Sequence, residues 1–156
     1  MAGYQLTYNV DMVFCIDSTG SMRHVLDFVK QNALNLYQDI TREMEKKHKT
    51  IHQLRVKVIA FRDYIADGEE AMLSSDFFTL PEQAEMLRDC VEGIHAKGGG
   101  DIPEDGLEAL AYAIRSDWTR EGVKKRHIIV VWSDAPTHEL GHGKIAPWYP
   151  EGMAQD

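Results

Sequence analysis

Hydrophobic residues along this chain fall in blocks whose period changes from one block to the next. Val10 to Asp17 (VDMVFCID) is nearly continuous in apolar side chains, the pattern of a strand buried on both faces at the centre of a parallel sheet. It breaks at Asp17-Ser18-Thr19-Gly20. Met22, Leu26, Val29, Ala33, Leu36, Ile40 and Met44 then recur at intervals of three and four, which predicts one long amphipathic helix. Leu54 to Phe61 (LRVKVIAF) predicts a second strand, closed by Arg62-Asp63-Tyr64. Phe77-Phe78-Thr79 is long enough only for an edge strand. Pro81 opens a helix with Ala84, Leu87, Val91 and Ile94 on its apolar face, and Gly98-Gly99-Gly100 ends that unit. A third helix begins near Pro103, with Leu107, Leu110, Ala111 and Ile114 on one side. His127 to Trp132 (HIIVVW) is a further apolar strand, ending at Ser133-Asp134-Ala135-Pro136.

Strands alternating with helices of this length predict an α/β domain: a mostly parallel, Rossmann-like sheet with helices on both faces and one short antiparallel edge strand. Residues 137–156 show no strand pattern and read as an irregular tail. One domain over 1–156 is expected, since a chain of 156 residues can bury roughly two thirds of its extended surface.

Charge and composition narrow the function. The net charge is −8, and the densest basic runs, Glu45 to Lys49 and Lys124 to His127, are short and read as solvated turns. Nucleic-acid binding is therefore not expected. Nor is membrane insertion, because no apolar stretch approaches a span and Met1 to Asn9 lacks a signal pattern. Cys15 and Cys90 make no disulfide framework, and a thiol inside an apolar strand suits the cytoplasm.

Three carboxylates stand at loop positions where an open parallel sheet binds ligands, outside the carboxyl ends of its strands. Asp17 ends the first strand and Asp134 follows the last; Asp101 follows three glycines and precedes a helix. Thr19 and Ser21 add hydroxyls two and four residues after Asp17. Carboxylates and hydroxyls on one crevice form the oxygen ligand set of a hard cation such as Mg²⁺. Singly, each aspartate is better explained by capping or turn formation; the grouping favours the cation.

Asp17-Ser18-Thr19-Gly20-Ser21 resembles the Asp-x-Ser/Thr-x-Ser motif of von Willebrand factor type A domains, the core of their metal-ion-dependent adhesion site. The resemblance extends over about residues 8–137, through Gly98 to Glu104 (GGGDIPE) and Trp132 to Pro136 (WSDAP), and is closest to the bacterial and intracellular members. It implies that Thr19 and Ser21 ligate a metal through their hydroxyls, with Asp17 and Asp134 binding directly or through water. Asp101 stands where the family usually has threonine. The implied cofactor is Mg²⁺, with Ca²⁺ or Mn²⁺ as alternatives; the implied role is non-catalytic, the holding of a protein partner. By the same resemblance the strand order is 77–79, 54–61, 10–16, 127–132. The family's later strands are not seen here, which would leave 127–132 as an apolar edge that either meets a second copy of the chain or is completed by strands supplied from elsewhere in the natural protein.

Two catalytic readings compete. His138-Glu139-Leu140-Gly141-His142 matches the His-Glu-x-x-His pattern of zinc hydrolases, which needs a helix to face both histidines one way. Gly141, Gly143 and Pro147 oppose that helix. Asp17 could serve as a phosphotransfer nucleophile, but Thr19 stands where the haloacid-dehalogenase-like enzymes carry a second aspartate. Asp63, closing the second strand, reads equally as a supporting partner of the site or as a turn residue.

Overall fold

The computed structural model describes residues 6–99 and 103–153. Five strands form one mixed, mostly parallel sheet: β1 (Leu6–Asp17), β2 (Lys49–Phe61), β3 (Met72–Ser74), β4 (Phe78–Leu80) and β5 (Lys125–Trp132). The order is β3-β2-β1-β5, with β4 also on β2. β1 runs parallel to both neighbours, and β3 and β4 lie antiparallel along the outer edge of β2. Among the described residues four α-helices complete the unit: α1 (Leu26–Lys46), α2 (Tyr64–Asp67), α3 (Ala84–Glu92) and α4 (Gly106–Ile114).

Alternation along β1 sends its side chains into two cores. Val10, Met12, Phe14 and Ile16 pack with Val29 and Ala33 of α1 and with Leu87 and Val91 of α3. Val13 and Cys15 face the other way, against Ala109 and Ala113 of α4. Helices on both faces explain why β1 reads as continuously apolar: neither face meets water.

Several boundaries differ from those expected. The long helix does not start at Met22. A 3₁₀ turn occupies Gly20–His24, and Val25 (φ −119°) separates it from α1. The third helix starts at Gly106 rather than Pro103, because Glu104 is drawn into a parallel bridge with Thr137. The single edge strand becomes two: Met72–Ser74 pairs with Ile59–Phe61, ahead of Phe78–Leu80 on Leu54–Val56. The basic run Lys124 to His127 is no simple turn, since Lys125 begins β5.

The segment after β5 is irregular yet docked. His138 and Met153 are buried in it, and the tail is pinned from below by Glu108 of α4. That carboxylate accepts hydrogen bonds from the Gly141 N–H (2.8 Å) and the Tyr149 hydroxyl (2.9 Å). No helix among the described residues is long and apolar enough to cross a membrane.

Candidate metal centre

Because β1, β2 and β5 are parallel, their carboxyl ends share one edge of the sheet, with Asp17 opposite Phe61 and Ile16 opposite Trp132. The loops leaving that edge build the site. Asp17 is fully buried at the end of β1. Its Oδ1 accepts the Thr19 N–H at 3.0 Å and the Thr19 hydroxyl at 2.6 Å. Its Oδ2 accepts the Ser133 hydroxyl at 2.8 Å. Thr19 Oγ1 lies 3.2 Å from Ser21 Oγ, and the Ser21 hydroxyl reaches Asp134 Oδ1 at 3.2 Å. Four of the five site residues read from the sequence are thus linked in one chain of contacts, Asp17–Thr19–Ser21–Asp134. The fifth, Asp101, lies outside the described residues. Ser133 was not singled out in the sequence; only its place between β5 and Asp134 hints at it.

A cavity of about 250 Å³ opens on this group, lined by Thr19, Ser21, Gly98, Gly99, Glu104, Asp134 and Ala135. Glu104 is the second residue missed by sequence reasoning. It is 3% exposed, and its Oε1 would lie 3.0 Å from a Cβ built on Gly99, which would also sit 3.2 Å from Thr19. Gly99 has φ +86°. Only glycine suits both the backbone angle and the space.

A buried guanidinium braces the floor. Arg62, 2% exposed, donates to the carbonyls of Ser18 (3.1 Å), Glu70 (2.8 Å) and His95 (2.7 Å), tying three loops together. Asp67 holds the glycine loop, its Oδ2 accepting the Gly99 N–H at 2.9 Å. Asp63 caps α2, accepting the N–H groups of Ile65 and Ala66. That local duty accounts for its place after the second strand.

The donor set fits a hard cation. Every polar side-chain group lining the cavity is a hydroxyl or carboxylate, and a Cβ on Gly99 would fill part of the cradle. Among the described residues no three His, Cys, Asp or Glu side chains are grouped to hold a metal ion. An ion here would therefore draw on Thr19, Ser21 and water as well as on carboxylates.

The His-Glu-x-x-His segment has a different form from the one its chemistry requires. Residues 138–142 are not helical. His138 is buried with Nδ1 2.9 Å from Asp105 Oδ1, and its ring stacks on His142 at 3.9 Å.

No protein-family model matches the chain. A protein of Acanthamoeba polyphaga mimivirus named as an ariadne-like RING finger protein is 27% identical over 138 residues, covering 86% of this chain and 12% of its own length. The alpha-protein kinase vwkA of Dictyostelium discoideum is 25% identical over 143 residues, covering 92% of this chain and 21% of its own. The chain thus spans less than a quarter of either relative's length. Among solved structures, the pilus adhesin SpaC of Lactobacillus rhamnosus GG in its open conformation superposes with a TM-score of 0.51 at 20% identity, over 78% of this chain and 14% of that one. That likeness is one of fold.

Proposed function

We propose that this chain is a von Willebrand factor type A module that binds a divalent cation and uses the cation-bearing face to hold a protein partner. The observation that carries it is the convergence of Thr19, Ser21 and Asp134, from two loops 113 residues apart, onto one cavity lined by oxygen-bearing and small residues, with Asp17 buried behind them and hydrogen-bonded to Thr19. Thr19 and Ser21 would hold the ion through their hydroxyls, Asp17 and Asp134 directly or through water, and Asp101 would join from the third loop. When bound, the ion supplies a positive, oxygen-seeking point at the rim. Mg²⁺ is the first choice, with Ca²⁺ or Mn²⁺ as alternatives.

The role is non-catalytic. The non-helical 138–142 segment does not favour a zinc hydrolase, and Thr19 next to Asp17 does not favour aspartyl phosphotransfer. The free thiols of Cys15 and Cys90 favour the cytoplasm.

Asp17, Asp101 and Asp134 together would outweigh a divalent ion by one negative charge, and Glu104 in the cavity wall would add to that excess, so an acidic partner group would meet repulsion. The partner is expected to present neutral or basic groups to this face. Pull-down with the intact chain, in Mg²⁺ and in chelator, tests the function. Partners retained equally in both conditions would refute it, and zinc rather than magnesium found on metal analysis would point to the tail instead.

A further inference from the structure

Lys49 and Arg126 stand on strands that do not pair with each other, yet both reach the same aromatic ring. Lys49 Nζ lies 5.6 Å and the Arg126 guanidinium carbon 4.8 Å from the centre of the Tyr8 ring. β1 lies between β2 and β5, with Leu6 opposite Lys49 and Val10 opposite Arg126. Tyr8, 3% exposed, stands midway between those two positions.

The parallel pairing that gathers carboxylates at one edge of the sheet gathers cations at the other. Residues 45–49 and 120–126 are solvated turns when each is read alone; at the amino ends of β2 and β5 they become one surface. Together they hold seven of the chain's 17 lysine and arginine side chains against two carboxylates, Glu45 and Glu121, in a chain of net charge −8. Two of the seven are occupied, Lys46 by Glu43 at 3.1 Å and Lys125 by the carbonyls of Arg120 and Gly122. Lys47, Lys49, Lys124 and Arg126 make no ion pair among the described residues. The Tyr8 ring offsets part of the repulsion between Lys49 and Arg126. An anion placed between them would offset more. The acidic edge does not serve: Asp17 is further along β1 by about 30 Å of extended chain, several screening lengths at physiological salt.

The surface also has an apolar point and a fixed shape. Val123, 94% exposed, stands in the turn before β5. Asn9 pins that turn: its N–H donates to the Lys124 carbonyl at 2.9 Å and its side-chain amide to the Glu121 carbonyl at 3.1 Å. Gly122 has φ +90°, and a Cβ there would come within 2.7 Å of the Asn9 amide nitrogen. Three adjacent strand ends span about 10 Å. A long polyanion would run off so short a strip onto an acidic molecule, whereas a short acidic segment would not. The planar fork of arginine also matches a carboxylate.

We infer that the amino edge of the sheet is a docking surface for an acidic peptide segment of a partner protein, with its carboxylates on Lys49 and Arg126 and an apolar residue against Val123. This surface is independent of the cation reading and takes the opposite kind of partner from the carboxyl edge.

The test is fluorescence anisotropy of a labelled decapeptide of Asp and Glu with one central Leu, added to the intact chain. The peptide is expected to bind and to weaken steeply as sodium chloride is raised. Lys49→Glu with Arg126→Glu should weaken it about tenfold or more, and Arg88→Glu with Lys144→Glu, an equal change of net charge elsewhere, less than about twofold. Thermal unfolding checks that each variant is folded; Lys49→Gln with Arg126→Gln replaces the charge-reversed pair if that pair is not.

Equal losses in the two doubly substituted chains would show that net charge alone attracts the peptide and would overturn the proposal. So would a wild type that ignores the peptide, or one that binds single-stranded oligouridine or phosphatidylserine vesicles as tightly. Asp17→Asn should leave the affinity unchanged whether or not the carboxyl edge binds a cation; a loss there would put the peptide on that edge and overturn this assignment.

Discussion

Ser21 and Asp134 meet at 3.2 Å although 113 residues separate them, completing the chain of oxygen contacts that begins at Asp17. Nothing local brings them together. Their approach follows from the parallel pairing of β1 with β5, which delivers both strand ends to the same edge. That chain is a set of acceptors held by hydroxyl donors, and a cation bound there would compete with those hydroxyl protons for the same lone pairs.

Magnesium should therefore stabilise the native state. A ligand that binds only the folded chain adds about 2.7 kcal/mol at a hundred times its dissociation constant. For a domain of this size that raises the unfolding midpoint by roughly 5–10 °C. Asp17→Ala should abolish the shift. A wild-type midpoint that stays level across a wide magnesium series in differential scanning calorimetry would show the site does not bind it.

How much of this was legible in the sequence depended on where the stabilising contacts lie. β1 and the end of β2 could be read from their apolar runs because both faces are covered, and β5 carries the same apolar run although it is only partly covered. α1 and α3 showed in their period, though Val25 interrupts the start of the first. β3 was invisible: three residues, Met72 to Ser74, form a strand only because the edge of β2 offers backbone partners. The loops of the candidate site were legible at Asp17 and Asp134, where strands end in carboxylates. Glu104 was not, because its place depends on a bridge to Thr137 that no local pattern encodes. The docked tail escaped for a related reason. It is held by buried polar groups, His138 on Asp105 and Gly141 and Tyr149 on Glu108, which leave no hydrophobic period.

Asp11 and Arg55 make a second prediction. The Asp11 carboxylate, fully buried on β1, accepts two hydrogen bonds from the guanidinium, at 2.9 and 2.8 Å, and one from the Thr119 N–H at 2.6 Å. Burial pushes its pKa up, but the hydrogen bonds from Arg55 and Thr119 outweigh burial and hold it below the usual 3.8. The folded value is depressed, so the pair's contribution is complete above about pH 4 and is lost as the pH falls through the lowered folded value. Arg55→Met leaves a buried carboxylate without its cation and should cost about 3 kcal/mol at pH 7. Urea unfolding at pH 7 and below pH 3.8 should show the gap between wild type and variant narrowing at the lower pH. A gap independent of pH would refute the charge assignment.

The two thiols should separate cleanly in reactivity. Burial pushes the Cys15 thiol up to about 12, with only partial opposition from Lys57, and its Sγ lies over the Ala109 carbonyl. Cys90 is half-buried and raised too, chiefly by burial. Since the thiolate is the reactive form, native protein at pH 8 should take up iodoacetamide slowly at Cys90 and not at Cys15. Mass spectrometry over a time course decides it; labelling of Cys15 at the rate of Cys90 would mean that β1 opens locally.

β5 is the outermost strand on its side of the sheet, and no described residue pairs with its outer edge. It is only half-covered: Ile128, Ile129 and Val130 are partly exposed and Val131 is 47% exposed. An apolar edge of this length is a template for another strand. A second copy suits it by charge. Antiparallel pairing centred on Ile129 sets Lys125 opposite Ser133 and Lys124 opposite Asp134, so the basic start of one strand meets the acidic end of the other, and like side chains stay on the same face. The chain is therefore expected to sediment as a dimer at low micromolar concentration. Val131→Lys, which places a charge at the exposed centre of the edge, should shift it to monomer without lowering its unfolding midpoint by more than a degree or two. A wild-type monomer whose Ile129 to Val131 amides exchange with solvent as slowly as those of Val13 and Phe14 would show that the edge is closed within one chain.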